Sequence, residues 1–415
     1  MSLLSLKDKI GFPSDWKIEP IGKILLSSQY GTSKSGSETG VPVIGMKNLQ
    51  DGKVDFRELS FVSLDDEEKA KLLLKDGDIL LNRTNSYDLV GKVGFVEKAV
   101  EAVFASYLVR LEVDKTKADS KFIAMWLSGF WADQMIKKIA TRAISQANVN
   151  PTEFKKFCLA PVIPLPEQKA IANLLSTWDE AIEKTERLIQ AKEKQLNGLY
   201  QYYFIPESSS NMHWGKVKIG RVLKQRNKKA LPSDDRPLFS LTIEDGVTAK
   251  TDRYNREALV KDNGSKKYKI VCPNDIVFNP ANLRWGAIAR STVPHEVVIS
   301  PIYEVLSVKN DAVDIDFISH LFTCPRQIGI YATKTEGTLI ERMAVKLDTF
   351  LLLDIYLPPE REEQQKISNI LNAAQHEIDL LKQLAKKYKT QKRGLMQKML
   401  TGEWRVRGFA TNDEV

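Results

Sequence analysis

The chain has 415 residues, 43% hydrophobic and 27% charged, with a formal net charge of +8. This length allows two or three domains with ordinary cores, and the composition excludes a disordered or low-complexity protein. No segment approaches the roughly 18 apolar residues of a membrane span, and residues 1–16 lack the apolar centre of a signal peptide. The three cysteines and four histidines have no metal-ligand spacing, so we expect a cytoplasmic protein with no metal site or disulfide framework.

Residues 1–163 are predicted to form a mixed α/β domain, the first lobe. Short β-like runs at 41–44, 78–81 and 103–111 are separated by turns rich in Gly, Asn, Asp and Ser. A helical stretch follows at about 120–140.

A long helix is predicted within 164–205. Pro164 and Pro166 exclude a helix interior before about Glu167, because proline lacks a donor and restricts the residue before it. The apolar residues then recur in steps of four and three, which is the seam of a coiled coil. The predicted seam residues here are Ile171, Leu175, Trp178, Ile182, Ile189, Leu196 and Leu199.

The same plan is repeated in the second half of the chain. Glu167-Gln168 recurs as Glu363-Gln364, and Trp16 recurs as Trp214, at nearly constant offsets. The repeat predicts a second lobe at 206–357, a second long helix within 358–402 and a tail at 403–415. The seam residues of the second helix are Ile367, Leu371, Ile378, Leu381, Tyr388, Leu395 and Met399.

We expect the two long helices to pair with each other in antiparallel orientation. Each would be about 55–60 Å long, and parallel pairing would require the short Ser-rich linker after Pro206 to span that distance. Lys192 and Lys392 are polar at seam positions, where such residues set the register at some cost in stability. The fold class is therefore α+β, an internal pseudo-twofold repeat of two similar lobes separated by an antiparallel coiled coil.

Two similar lobes at a fixed separation suit duplex DNA, which repeats every 34–36 Å. Arg pairs with guanine edges and Asn or Gln with adenine edges, whereas Lys suits phosphates. These residue types concentrate in corresponding turns of both lobes, although Asn and Ser also favour plain solvated turns. The candidates in the first lobe are Tyr30, Thr32, Ser33, Lys34, Lys47, Asn48, Arg83, Asn85, Ser86, Tyr87, Arg142, Gln146 and Asn148. Those in the second lobe are Gln225, Arg226, Lys228, Lys229, Thr242, Asn282, Arg284, Trp285, Lys334 and Arg342.

Lysines also crowd the second long helix between Lys382 and Lys398. They are either a solvated face beside the seam or contacts to phosphates. The sequence leaves both interpretations open.

The chain resembles the specificity subunits of type I restriction–modification systems. The resemblance rests on the duplicated plan, the Glu-Gln helix starts, the Ile-x-Asn-(Leu/Ile)-Leu that follows each of them, and the ending at 392–402. It implies two target recognition domains reading a bipartite, asymmetric double-stranded DNA site. It further implies two methyltransferase subunits and two restriction/translocase subunits as partners, which would carry the S-adenosylmethionine, ATP and Mg cofactors.

No catalytic motif is present in this sequence. It has no GxxxxGK[ST] phosphate loop, no GxGxxG after a strand and no HExxH. We therefore expect a non-enzymatic subunit. Two alternatives are a coiled-coil interaction protein whose lobes bind protein or RNA, and a self-sufficient methyltransferase that would bind S-adenosylmethionine.

Overall fold

The computed structural model describes residues 9–34, 36–143, 146–205, 213–249, 266–309, 312–337, 343–406 and 408. The chain divides into a first unit, residues 1–184 with 384–415, and a second unit, residues 185–383. Each unit contains one lobe and part of each long helix. Among the described residues, no helix combines the length and apolarity needed to cross a bilayer.

The first lobe is built around strand Ile79–Asn82, which pairs with Leu108–Val113 on one side and Val93–Phe95 on the other. Ile79 and Leu81 belong to one buried apolar cluster and Leu80 to another. Successive side chains of a strand point to opposite faces, so this sheet separates two cores. The strands of the lobe are Lys17–Pro20, Leu25–Tyr30, Val41–Ile44, Leu49–Gln50, Gly52–Val54, Ser60–Val62, Ile79–Asn82, Thr84–Asn85, Val93–Phe95, Val103–Phe104, Leu108–Val113, Thr141–Arg142, Ala147–Asn148 and Leu159–Val162.

The helical stretch predicted at 120–140 is two helices, Ser120–Leu127 and Phe130–Ile139. The break falls at Ser128-Gly129, and the side chain of Asp119 caps the first of the two by accepting from the Phe122 amide. The sequence pattern did not reveal this break because both halves have apolar faces of helical period. The remaining helices of the lobe are Asp66–Leu72 and Pro151–Phe157, with 3-10 turns at Ile21–Ile24 and Met46–Asn48.

The second lobe repeats the central part of this topology. Its strand Ile276–Phe278 pairs with Glu304–Val308 and Ile288–Arg290, as Ile79–Asn82 does with its neighbours in the first lobe. Its strands are Gly215–Lys218, Leu223–Gln225, Lys229–Ala230, Leu238–Thr242, Gly246–Ala249, Tyr268–Val271, Ile276–Phe278, Ile288–Arg290, Val297–Ile299, Glu304–Val308 and Asp354–Leu357. Its helices are Ile219–Val222, Ile315–Thr323, Pro325–Thr333 and Leu347–Leu351, with a 3-10 turn at Leu283–Trp285.

The two long helices are Leu165–Phe204 and Arg361–Thr401. Their first residues lie one and three residues inside the ranges 164–205 and 358–402. Pro166 lies in the first turn of the first long helix, where the missing amide donor has no partner to lose.

The repeated Glu-Gln pair fastens each long helix to its own lobe. Gln168 accepts from the Asp119 amide at 2.8 Å, and Gln364 accepts from the Asp314 amide at 2.8 Å. Both glutamines also donate to the carbonyl of the segment that precedes the helix. Both are buried, so either donor or acceptor would be costly to leave unpaired. The same bonds therefore fasten the long helix to its lobe in both repeats.

The helices run antiparallel in the first unit. Glu167 near the start of the first long helix pairs with Arg405 just beyond the end of the second, at 2.6 Å. Eleven residues further along, Trp178 packs edge-on against Tyr388, with ring centroids 5.8 Å apart. The partner's number falls as the first helix advances, which confirms the predicted antiparallel orientation in this unit.

The second unit has the same orientation. Lys192 pairs with Glu377 at 2.9 Å. Further along, Tyr200 contacts His320 at 3.1 Å, and the same His320 contacts Asn372 at 2.8 Å. The predicted seam residues are all buried or half-buried.

Both seam lysines have an acidic partner on the opposite helix. Lys392 pairs with Asp179 at 2.6 Å, and both side chains are less than one-fifth exposed. Lys192 pairs with Glu377 as described above. A paired charge in a seam tolerates only the register in which its partner is opposite, so these two pairs specify how the helices align.

A buried aspartate recurs in both lobes but is neutralised differently. Asp78 lies 3.5 Å from Arg110, which comes from the neighbouring strand and also donates to Gln29. Asp275 accepts two hydrogen bonds from Arg226, at 2.7 and 2.9 Å. By strand register, Arg226 occupies the place of Gln29, and Val305 occupies that of Arg110. The guanidinium thus comes from Leu108–Val113, the strand beside Ile79–Asn82, in the first lobe, and from the end of Leu223–Gln225, the strand one further away, in the second lobe.

Candidate nucleic-acid interface

Two stretches of the first lobe that are far apart in sequence form one small sheet. Strand Ala147–Asn148 pairs with Thr141–Arg142 on one side and Thr84–Asn85 on the other. The Val149 amide donates to the Arg83 carbonyl at 2.8 Å. The predicted turns at 83–87 and 142–148 are therefore neighbours.

Arg83 is at the centre of this cluster. Its Nη2 donates to Asn148 Oδ1 at 3.2 Å, and its Cζ lies 5.0 Å from the centroid of the Tyr30 ring. Tyr30 is half exposed, and Asn148 is exposed. Three candidates from three separate stretches thus share one surface.

A second cation–aromatic pair lies in the same small sheet. Arg142 Cζ is 3.4 Å from the centroid of the Tyr87 ring. An arginine stacked on an aromatic ring loses less side-chain freedom when it binds a base or a phosphate. Ser86 and Gln146 nearby are exposed, and Asn85 Oδ1 accepts from the Ser86 amide at 2.8 Å. We define the recognition cluster as Tyr30, Arg83, Asn85, Ser86, Tyr87, Arg142, Gln146 and Asn148.

The other candidates of the first lobe lie outside this cluster, and several already have internal partners. Asn48 is buried, accepts from the Gly45 amide and donates to the Asp55 carbonyl. Thr32 is buried and donates to Glu68 at 3.2 Å. The hydrogen bond from Lys34 to the same carboxylate raises the lysine pKa. These contacts favour a structural role for the three residues, whereas Ser33 and Lys47 are exposed.

The second lobe has the same framework at the corresponding turns. The Val345 amide donates to the Pro280 carbonyl at 2.9 Å, and Glu336 and Ala344 form an antiparallel bridge. Trp285 is 63% exposed beside Arg284, whose Cζ lies 5.1 Å from its ring centroid. Asn282 and Lys334 are exposed, and Arg342 lies outside the described residues.

The turn on this surface depends on a glycine in each lobe. Gly91 has φ +87° and Gly286 has φ +88°, a left-handed conformation that strains any other residue. A Cβ on Gly91 would lie 2.6 Å from Ile136, and one on Gly286 would lie 3.1 Å from Ile328. The two glycines therefore let the turn pack against a helix of its own lobe.

The basic run that opens the second lobe divides into internal and exposed residues. Arg226 is held by Asp275, and Gln225 donates to Glu304 at 2.9 Å. Lys228 and Lys229 are exposed. Thr242 Oγ1 accepts from the Asp245 amide, as in an ordinary turn. The DNA contact of Arg226 stays a prediction, and its internal partner favours a structural role.

Lys92, which the sequence patterns did not single out, is an exposed residue at the far end of the turn that carries Arg83 and Tyr87. Its carbonyl accepts from the Asn82 amide at 2.8 Å, which closes that turn. The signal available in the sequence was its position next to the repeated glycine. Within the described ranges, no group of three or more His, Cys, Asp or Glu side chains is arranged to hold a metal ion.

Residues 13–194 match the family model of the type I restriction modification DNA specificity domain. Over its whole length the chain is also similar to a type I restriction enzyme specificity subunit, MjaX, of Methanocaldococcus jannaschii, with 25% identity covering 97% of this chain and 96% of that protein. Residues 13–194 are thus similar to a DNA specificity domain, and the whole chain is similar to type I restriction–modification specificity subunits.

Solved structures of specificity subunits have the same fold. The S subunit from M. genitalium aligns with a TM-score of 0.58 at 15% identity, covering 92% of this chain and 96% of that one. A structure described as the basis of complex assembly and conformational transition of the type I R-M system aligns with a TM-score of 0.56 at 14% identity, covering 95% and 99%.

Proposed function

We propose that this chain is a specificity subunit that reads a bipartite, asymmetric DNA target, with one half-site for each lobe. The observation that carries the proposal is a shared framework with unlike residues at equivalent positions of the turns. The bond from Val149 to Arg83 has its counterpart in the bond from Val345 to Pro280. One surface thus presents a guanidinium where the other presents a proline, which has no donor to offer a base.

The contrast extends to the aromatic residues of the two surfaces. In the first lobe Tyr30 and Tyr87 pack against arginines, and in the second lobe Trp285 is exposed beside Arg284. Lobes that present different donors and stacking surfaces at equivalent places would favour different base pairs. An asymmetric target follows from this difference.

The long helices would act as the spacer between the two half-sites and as the scaffold for the other subunits. We propose two methyltransferase and two restriction/translocase subunits as partners, carrying S-adenosylmethionine, ATP and Mg. The support is the antiparallel pairing of the helices in each unit, which gives the two lobes equivalent surroundings. A cytoplasmic location, where chromosomal DNA is accessible, belongs to the same proposal.

The decisive experiment compares one substitution in each lobe. The subunit is co-expressed with its methyltransferase in a host without other methylation, and methylated adenines are mapped across the genome. Arg83→Ala should relax or abolish recognition in one half of the target only, because the loss of a good base contact costs about 1–3 kcal/mol of discrimination. Trp285→Ala is the matched variant and should affect only the other half.

Two results would contradict the proposal. In the first, Arg83→Ala and Trp285→Ala change the same half of the target. In the second, neither variant changes it although both accumulate as folded protein. Unaltered methylation together with tight binding to RNA or to an unrelated protein would favour the interaction-module alternative.

A further inference from the structure

The last part of the second long helix is strongly basic. Residues 380–402 contain no Asp or Glu. The cations in this stretch are Lys382, Lys386, Lys387, Lys389, Lys392, Arg393 and Lys398. The internal repeat supplies a control, because the first long helix follows the same seam plan. Its corresponding residues, at the offset that relates the two Glu-Gln pairs, are Glu186, Gln190, Ala191, Glu193, Leu196, Asn197 and Tyr202. None of these is basic, so a long helix of this plan does not need a cation at each of these positions.

Some of these cations have structural partners. Lys382 pairs with Glu193, Lys392 with Asp179 and Lys398 with Glu403. Within the part of the chain that the structure describes, Lys386, Lys387 and Arg393 have no ion-pair partner, and all three are exposed. We define these three as the spacer cations. All of them belong to the first unit.

The spacer cations continue the wall of a cleft in the first unit. Lys386 and Arg393 are seven residues apart, so they lie on the same side of the helix about 10 Å from each other. Arg393 lines a cleft of about 740 Å³ whose opposite wall comes from the first lobe and includes Gly91 and Lys92. Lys92 is exposed. The cleft therefore has basic side chains on both walls. It is also lined by four carboxylates, of which Asp179, Glu97 and Asp133 are paired with lysines and the fourth is Asp51.

This cleft reaches the turn that carries part of the recognition cluster, because Gly91 and Lys92 at the end of that turn line it. Lys92 closes the turn that carries Arg83 and Tyr87, through the bond from the Asn82 amide to its carbonyl. A DNA strand read by the cluster would reach Lys92 within that turn, and then Arg393 across the cleft. Lysine and arginine suit the phosphates of such a strand without reading its bases.

We propose that Lys386, Lys387, Arg393 and Lys92 bind the phosphates of base pairs next to the first half-site, in the gap that neither lobe reads. This inference rests on the proposed function, since it needs a bipartite target. It assigns the spacer helix a direct electrostatic contribution to DNA affinity in addition to its role in setting the distance. Base specificity is unaffected, because phosphates are the same in every sequence.

The test uses the complete complex of this subunit with its methyltransferase subunits. The variant is Lys386→Gln/Lys387→Gln/Arg393→Gln. Affinity for a target duplex is measured over a range of salt concentrations. Each phosphate contact contributes about 0.9 to the slope of log affinity against log salt, so the slope should fall by about 2 to 3. The penalty for a mismatch in either half-site should be unchanged.

A matched control removes three other exposed helix cations, in Lys169→Gln/Lys194→Gln/Lys366→Gln. Its salt slope should equal that of the unsubstituted complex. A second arm replaces phosphates of the gap with uncharged methylphosphonates. These should weaken binding by the unsubstituted complex and have little effect on the spacer-cation variant.

Three outcomes would overturn the inference. In the first, the salt slope of the spacer-cation variant is unchanged. In the second, the salt slope of the control variant falls by the same amount. In the third, the spacer-cation variant loses methyltransferase binding and its salt slope does not change. The last would make the surface a protein docking site. Failure of the proposed function is distinguishable, because the unsubstituted complex would then show no half-site mismatch penalty.

Discussion

Arg226→Ala tests whether this arginine stabilises the second lobe or contacts DNA. In the structure, Arg226 donates to both carboxylate oxygens of Asp275 at 2.7 and 2.9 Å. The Asp275 side chain is only 2% exposed, and the Cys272 amide also donates to it at 2.8 Å. The substitution would leave a buried carboxylate with one neutral donor.

The expected loss of stability is large for a single substitution. Removing one partner of a fully buried ion pair costs about 3–5 kcal/mol. Arg226 retains 24% exposure, so we expect about 2–3 kcal/mol at pH 7. Protonation of Asp275 limits this loss of stability. Neutralising an aspartate of ordinary pKa about 3.9 at pH 7 costs about 4 kcal/mol, so the loss cannot exceed that value.

The pH dependence of this loss has a definite sign. Burial raises the pKa of Asp275, and the hydrogen bonds from Arg226 oppose that rise. Without Arg226 the folded-state pKa rises further above the unfolded value. Between the two values the folded state binds the extra proton, so the stability of the variant increases as the pH falls, by up to about 1.4 kcal/mol per unit. The difference in the free energy of unfolding between the variant and the unsubstituted protein should therefore become smaller toward pH 4.

Amide hydrogen exchange in strand Ile276–Phe278 measures the opening free energy of the second lobe without unfolding the first. Arg226→Ala/Asp275→Asn is the control and should recover most of the loss, because the amide side chain is neutral and still accepts from Cys272. The reasoning is refuted if exchange in Arg226→Ala is unchanged while DNA affinity and its salt slope fall. That result would assign Arg226 to DNA.

Three further predictions concern the helices and the second lobe. Lys392→Met should destabilise the first unit by about 1–3 kcal/mol in urea unfolding, because it leaves Asp179 without a partner in the seam. Lys392→Met/Asp179→Leu should restore most of the lost stability. If it does not, the ion pair does not stabilise the seam. Burial lowers the pKa of His320, so below pH about 6.5 the unfolded state binds more protons and stability should fall. His320→Gln should lessen this fall in thermal melts between pH 7.5 and 5, and an unchanged pH dependence would contradict the assignment. Inserting seven residues after both 184 and 383 lengthens each long helix by about 10 Å. The gap between the half-sites of the methylated target should then widen by about three base pairs. An unchanged gap would contradict the spacer role.

The internal repeat explains why much of this fold was predictable. A seam of period 3.5 is a local property, so its residues and the helix limits follow from spacing alone. The antiparallel orientation was predictable from chain length and connectivity, and it is confirmed within each unit. The division of the stretch at 120–140 was not, because a two-residue break between apolar helices leaves the period almost unchanged.

The sequence alone determined the duplication, the two long helices and the turns that contain the candidate residues. Only the tertiary structure decided that Tyr30, Arg83 and Asn148 meet, and that Arg226 is held by Asp275. The repeat and the seam are read from spacings along the chain, whereas these contacts depend on which strands pair and in what register. Whether a side chain is exposed or held by an internal partner depends on residues far away in sequence, and no local pattern encodes those contacts.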